Sequence, residues 1–319
     1  MKAIVYEKYG TPDVLQLKEA AKPVPGEDEV LVKVHAASIN DWDLGLLYGD
    51  FINRMLNGLR KPRRNILGSD IAGKIETVGK KVKRFKAGDD VYGDLSGQWG
   101  GFAEYVCAPE KSLSLKPAAM SFEEAAAIPQ AAMLAVQGLI DKGKIKQAQK
   151  VLINGAGGGV GTFAIQIAKL YGAEVTGVDK ATKLEMLRSI GFDHVIDYTQ
   201  EDFTKNGQRY DLILDVKTDR SMFKYTRALS RNGVYITVGG SMGRLFQGLL
   251  LSPWISMIHK KHIRIVALKQ NKDLLYMNEL FEASKVKPVI DRPYKLDEVH
   301  EALKIFRKGD HKGKIVITV

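Results

Sequence analysis

Short apolar runs recur through the second half of the chain and alternate with stretches in which apolar side chains return every three or four positions. The runs at 150–154, 174–179, 194–198, 210–216, 233–239 and 262–268 have strand length, and helical spacing separates most of them. This alternation predicts an α/β doubly wound parallel sheet with helices on both faces. Up to about Met120 the pattern changes to short alternating strands such as 29–35 and 73–79, punctuated by glycine and proline, which predicts a β-rich lobe. The run at 314–319 has no place in the series of βα units and is expected to return to that first lobe. A boundary is expected near Ser121, where Glu124 three positions later makes a capping-box signature before helix-prone alanines. Residues 1–122 with 287–319 are therefore expected to form one discontinuous domain, and 123–286 the other. Near the end, Leu296, Val299, Leu303 and Phe306 share one helical face, which predicts core packing and not a site.

Between the run at 150–154 and the helical stretch from Thr162 lies a glycine-dense turn, in which the spacing G-x-G-x-x-G appears as Ala156-x-Gly158-x-x-Gly161. A strand, a glycine turn and a helix in succession let a pyrophosphate approach the free amides at the helix start, here Gly158, Gly159, Val160 and Gly161. The next apolar run ends in Asp179, where such folds hold a ribose hydroxyl. The plainer alternative is a glycine turn in an α/β protein that binds no nucleotide. Asp179 repels a 2′-phosphate and so argues for NADH, while Lys180 and Lys183, read as an exposed helix start or as cofactor contacts, offset it. The expected cofactor is NAD(P)H, with the form left open.

At 319 residues, with 45% hydrophobic and 27% charged, the chain has room for two cores. Cys107 is the only cysteine, which excludes an intramolecular disulfide and suits a reducing, cytoplasmic setting. Residues 1–6 read as an edge strand and not as a targeting peptide. The most apolar window, 245–258, is shorter than a membrane span and is interrupted by Gln247, Gly248 and Pro253, so a buried or interface segment is expected. Lys260, Lys261 and Arg264 behind it would also suit a surface-associating stretch. The net charge of +11 raises the question of nucleic acid. Arg54, Arg60, Lys61, Arg63 and Arg64 lack interleaved aromatics, so they read as a solvated loop and no nucleic-acid partner is expected.

Further segments, 37–43, 67–73, 78–79, 87–93, 100–106, 194–198 and 313–316, together with the glycine turn, resemble the medium-chain dehydrogenase/reductase superfamily and its zinc-independent quinone oxidoreductase-like branch. The resemblance implies a GroES-like β-rich lobe and a Rossmann lobe with the nicotinamide between them, and a homo-oligomer, commonly a dimer, formed through the last Rossmann strand at 263–268. Zinc-dependent relatives carry a ligand cysteine where this chain has Asn40, and Gly-His-Glu where it has Gly68, Ser69 and Asp70, so no metal is expected. His259 and His262 read as solvated or packed. The chemistry implied is hydride transfer to a small quinone or activated alkene, whose oxygen takes up the charge. The resemblance further implies Tyr198 beside the adenosine, Gly239 and Gly240 after the fifth strand, and Gln130 near the nicotinamide. It also implies Asn40 and Asp43 as polar groups facing the nicotinamide, with Asn40 donating to the acceptor oxygen. Tyr48 is a candidate donor or proton source, or an aromatic packed under a loop. Gly45 and Leu134 depart from relatives that carry tyrosine and threonine there. Two alternatives stand beside this reading: metal-free alcohol or carbonyl chemistry, and a non-catalytic NAD(P)H-binding interaction protein.

Overall fold

The computed structural model describes residues 1–240 and 242–319. Strands β1 (Lys2–Val5) and β2 (Gln16–Glu19) pair antiparallel, and β3 (Glu29–Ser38) leads through helices α1 (Asp41–Tyr48) and α2 (Phe51–Asn57) to β4 (Asp70–Val78). Then come β5 (Asp90–Asp94), β6 (Tyr105–Pro109), β7 (Ser114–Leu115), α3 (Phe122–Ala127) and α4 (Pro129–Val136). The βα series runs β8 (Lys150–Asn154), α5 (Gly159–Leu170), β9 (Glu174–Asp179), α6 (Leu184–Ser189), β10 (His194–Asp197), β11 (Tyr210–Asp215), α7 (Met222–Ala228), β12 (Leu229–Thr237), α8 (Met242–His259) and β13 (His262–Ile265). Helix α9 (Leu274–Glu282), β14 (Ile290–Lys295), α10 (Val299–Lys308) and β15 (Lys314–Thr318) follow.

The chain divides into two units: residues 1–130, 270–283 and 290–319 in the first, 131–269 and 284–289 in the second. These bounds differ from those expected of the sequence, which put 123–286 wholly in one domain. Helix α3 stays with the first unit because it lies across β3, with Phe122 stacked on His35 at 4.3 Å. The segment carrying α9 joins it because Asn271 exchanges two hydrogen bonds with the backbone of Asp94, at 2.8 and 2.9 Å, and Asn278 accepts from the Tyr92 hydroxyl.

In the first unit seven strands are ordered β14-β15-β3-β4-β5-β7, with β6 on the other half of β3. The alternation seen in β3 places Val30, Val32 and Val34 in a core with Ile71, Phe102 and Ile317. Strand β15 lies between β14 and β3, with Ile317 opposite Ala37, so the end of the chain does return to the first lobe. Leu296, Val299 and Leu303 are buried there, as their spacing predicts, and Phe306 packs against the same core.

In the second unit all six strands are parallel, ordered β10-β9-β8-β11-β12-β13. Val151, Leu152 and Ile153, like Leu212, Ile213 and Leu214, are buried without alternation because helices cover both faces. The order reverses between β8 and β11, and a crevice at the carboxyl ends of strands that diverge in this way is where open α/β sheets bind ligands.

Candidate active site

At the end of β8 the chain turns through Gly155 in a left-handed conformation, with φ of +83°. Its amide and that of Ala156 both donate to Val178 O on β9, at 3.0 and 3.2 Å. Gly158 then caps α5 with no side chain, leaving the amides of the first turn available to an anion. The glycines differ in their work. A Cβ on Gly161 would lie 2.4 Å from Ala156 O, so that position keeps helix and turn in contact. One on Gly158 would have nothing nearer than 3.7 Å, and one on Gly239 nothing within 4 Å, so both border open space. This amide-lined open turn fits a dinucleotide pyrophosphate.

Asp179 is buried and already engaged: Oδ2 accepts from Gly157 N at 2.7 Å and Oδ1 from Lys180 N at 2.9 Å. Lys183 lies 3.8 Å from Oδ1 and is buried as well, against the reading of an exposed helix start, because its stem packs under Gly157. The Asp179 charge is thus shared with a lysine and does not stand alone against a phosphate. Beside it is a cavity of about 240 Å³ lined by Asn154, Gly155, Asp179, Tyr198, Lys217 and Arg220 among others. A larger cavity, about 400 Å³, opens at Lys150, Glu174 and His194, the amino ends of the strands, where this sheet order provides no crevice.

Asp215 organises the loop over the smaller cavity. It accepts from Asn154 Nδ2 at 2.8 Å, from the Tyr235 hydroxyl at 2.7 Å, and from the amides of Lys217 and Thr218 at 3.0 Å each. Burial and the Asp215 charge push the Tyr235 hydroxyl far up, so it stays a donor. Thr218 in turn donates to Gly239 O at 2.6 Å, tying that loop to the Gly239–Gly240 turn. Asn154, Asp215, Lys217 and Arg220 escape a motif-based reading. The available signal is that two apolar runs, β8 and β11, each end in a polar residue at the same edge of the sheet.

In the first unit Asn40, at the start of α1, joins a buried polar cluster. Lys314 Nζ donates to Asn40 Oδ1 at 2.7 Å and to Ile39 O at 2.9 Å, and Asn40 Nδ2 donates to Ser69 Oγ at 3.2 Å. Lys314 also lies 3.6 Å from Asp70 Oδ2, which accepts from Gln130 N at 3.2 Å. The Gln130 side chain turns to Ser96 Oγ at 3.4 Å, and Ser96 donates to Asp94. Asp70 and Asp94 face each other in register across β4 and β5, and each keeps one buried oxygen, Oδ1 and Oδ2 respectively, with no hydrogen-bond partner. Burial pushes Asp70 up to about 7 and raises Asp94, with Asp94 adding to the rise at Asp70 and Lys314 opposing it. Burial also lowers Lys314, and the neighbouring carboxylates oppose that.

Asp43 is fully buried and does not look outward. Its two oxygens accept from the amides of Asn40, at 2.8 Å, and Gly68, at 2.9 Å, so it fixes the Gly68–Ser69 turn beside α1, and burial lifts its carboxyl to about 6. Tyr48 is not brought to this cluster. It sits at the opposite end of α1, eight residues or about 12 Å along. Its ring lies under the Arg307 guanidinium at 4.9 Å, and its buried hydroxyl has no hydrogen-bond partner. Gly45 has a packing reason: a Cβ there would lie 3.0 Å from Asn53 Nδ2 on α2. Of the basic cluster, Arg54 caps Gly49 O at 2.6 Å and covers the Tyr9 ring, and Arg64 covers Trp99, so it is not simply a solvated loop. Leu134 is half-buried on α4.

Two family profiles match the chain: one described as alcohol dehydrogenase GroES-like domain over residues 26–118, the other as zinc-binding dehydrogenase over residues 190–317. The 2-methylene-furan-3-one reductase of Solanum lycopersicum is 35% identical across 99% of this chain and 79% of its own length. The chain belongs to the medium-chain dehydrogenase/reductase superfamily, in its quinone oxidoreductase-like branch. A chloroplastic NADPH-dependent alkenal/one oxidoreductase of Arabidopsis thaliana is 32% identical over 99% of this chain and 79% of its own. The solved quinone oxidoreductase of Coxiella burnetii superposes with a TM-score of 0.87 at 28% identity, over 100% of this chain and 99% of that one.

The second profile is named for zinc, but within this superfamily member the residues do not fit the ion. Asn40 and Ser69 offer an amide and a hydroxyl, and Lys314 Nζ already occupies the space between Asn40 and Asp70. Cys107 lies on β6 opposite Leu31, and burial lifts its thiol to about 11, so it is not a thiolate. Among the described residues no three His, Cys, Asp or Glu side chains are grouped to hold a metal.

Proposed function

We propose that the protein is an NAD(P)H-dependent, zinc-independent oxidoreductase that transfers hydride to a quinone or activated alkene. The orientation of Asn40 carries this reading. With Oδ1 taken by Lys314, the amide nitrogen is the end left to meet an acceptor; one of its N–H groups donates to Ser69 Oγ and the other faces the Asp70 carboxyl, a contact that the acceptor oxygen would replace. That donor stabilises the oxygen on which negative charge gathers as an enone or quinone is reduced, a service for which metal-dependent enzymes use a Lewis acid. Bound NAD(P)H supplies the hydride. The proton that completes the reduction comes from solvent, since Tyr48 is turned to Arg307 and Asp43 is closed off.

The amides of Gly158, Gly159, Val160 and Gly161 hold the pyrophosphate. Asp179, Lys183 and Tyr198 hold the adenosine ribose, Gly239 and Gly240 edge the cofactor, and Gln130, its side chain held by Ser96, borders the nicotinamide. Lys183, Lys217 and Arg220 around Asp179 favour NADPH over NADH. An apolar acceptor is supported by α2 and the loop after it, where Phe51, Met55, Leu56 and Leu59 are exposed. We assign the expected homodimer to the free edge of β13, tested by light scattering, and the single thiol supports the cytoplasm or another reducing compartment.

Nicotinamide absorbance with NADPH or NADH and a panel of quinones, enones and secondary alcohols tests the proposal. Expected are turnover of quinones or enones but not alcohols, indifference to a zinc chelator, and a kcat loss of about 100-fold in Asn40→Ala with coenzyme affinity kept. Coenzyme binding without turnover of any acceptor would leave only the non-catalytic reading.

A further inference from the structure

Helix α8 is apolar on two opposite faces, and only one of them is covered. Gly248 packs against Ile263 and Met222, Ile255 is buried, and Ser252 donates to Ile263 O at 3.3 Å, which fixes the inner face on β13 and α7. The outer face carries Phe246, Leu249, Leu250, Trp254, Met257 and Ile258, spaced at helical intervals and each between 60 and 72% exposed. A helix apolar all round is normally buried all round, and contiguous apolar surface of this kind marks a place of contact.

Charge identifies the partner. From Ser221 to Lys269 the chain has eight lysines and arginines and no aspartate or glutamate. Arg244 lies in the first turn of α8, Lys260 directly follows it, and Lys224 and Arg227 lie on α7, where Phe223 adds a further exposed aromatic. A second copy of the chain placed on this face would set like charges against each other, and a soluble apolar ligand would leave them unanswered. No helix among the described residues is long and apolar enough to cross a membrane, so insertion across a bilayer is not available to α8.

We propose that the outer face of α8 docks on the surface of an anionic phospholipid bilayer, its leucines and aromatics entering the headgroup boundary and the flanking cations meeting lipid phosphates. Trp254 on that stripe suits the interface, where an apolar ring and a polar N–H are both accommodated. The contact lies on the outside of α8 and leaves the free edge of β13 to another copy.

Co-sedimentation of the full chain with vesicles tests this, using phosphatidylcholine alone or mixed with phosphatidylglycerol. Binding is expected to the mixed vesicles, to weaken as salt is raised, and to bring a blue shift of tryptophan emission. The triple variant Phe246→Ser, Leu250→Ser, Trp254→Ser should bind at least about tenfold less while its elution volume and its turnover of a water-soluble acceptor stay unchanged. Arg244→Glu with Lys260→Glu, which keeps the apolar stripe, should lose the preference for anionic vesicles. Equal sedimentation with both vesicle types, or none with either, would overturn the proposal. So would conversion of a dimer to a monomer by the triple variant, which would make this face an interface between copies.

Discussion

An amide side chain can sit either way round, and at Asn40 the choice falls to a lysine 274 residues away that can only donate. Removing that lysine should show in two ways. Lys314→Met leaves Asp70 and Asn40 without their buried partner, so it should cost about 3 kcal/mol in denaturant unfolding. It should also lower kcat/KM for the acceptor more than it changes coenzyme affinity, because the freed amide turns. Asp70 makes a separate prediction about pH. Its carboxyl is raised from 3.8 to about 7, so the folded chain holds a proton that the unfolded chain releases over that range. The associated stability is full below about pH 4 and is lost as pH rises toward 7. Asp70→Asn should therefore flatten the fall of Tm across that window, leaving the smaller slope that Asp43, raised to about 6, and Asp94, raised as well, contribute. An unchanged slope would mean that Asp70 ionises as an ordinary carboxylate. In the sequence Asn40 and Asp43 stand out as polar residues at the right place, yet they look equivalent there. Only the fold shows one with its amide oriented by a lysine and the other closed between two amides.

Helix starts, turns and strands were legible because their signals are local. Ser121 and Glu124 do form the reciprocal cap, with Glu124 N donating to Ser121 Oγ at 3.1 Å and Ser121 N to Glu124 Oε2 at 2.9 Å. Ser121→Ala should cost about 1 kcal/mol by thermal or chemical unfolding. The glycine turn allows a sharper test. Gly161→Ala meets a backbone carbonyl that cannot step aside, so the start of α5 must shift and coenzyme titration should show affinity largely lost. Gly158→Ala has space for its methyl group in the protein and should fold normally, with any loss confined to coenzyme binding. Element lengths were less legible. Strand β12 begins at Leu229, before the apolar run, because pairing with β11 extends it, and β13 stops at Ile265 within a longer run because its partner β12 ends. The burial of Lys183 was illegible for a related reason: a lysine at a helix start is ordinarily solvated, and here the approach of Gly157 covers its stem beside Asp179.

Across the whole molecule, the first unit depends on a strand made by the last residues. Strand β15 sits inside its sheet, bonded to β3 on one side and β14 on the other, and it brings Lys314 to Asn40. A chain ending at His311 should lose the cooperative unfolding of the first unit and become protease-sensitive there, while the parallel sheet, which receives no strand from this region, keeps its protection. The hydrophobic pattern by itself determined the sequence of strands and helices, the parallel sheet, the glycine turn and the return of the final strand, since each follows from backbone sterics and periodic burial within a short window. Tertiary structure alone decided where the unit boundaries fall, which polar residues are sealed in and which end of Asn40 is presented. It also decided that Asp70 and Asp94 face each other away from water, which raises both carboxyls, and that α8 keeps an apolar face outward. These depend on groups distant along the chain meeting where water is excluded, and there burial and pairing set protonation, orientation and exposure.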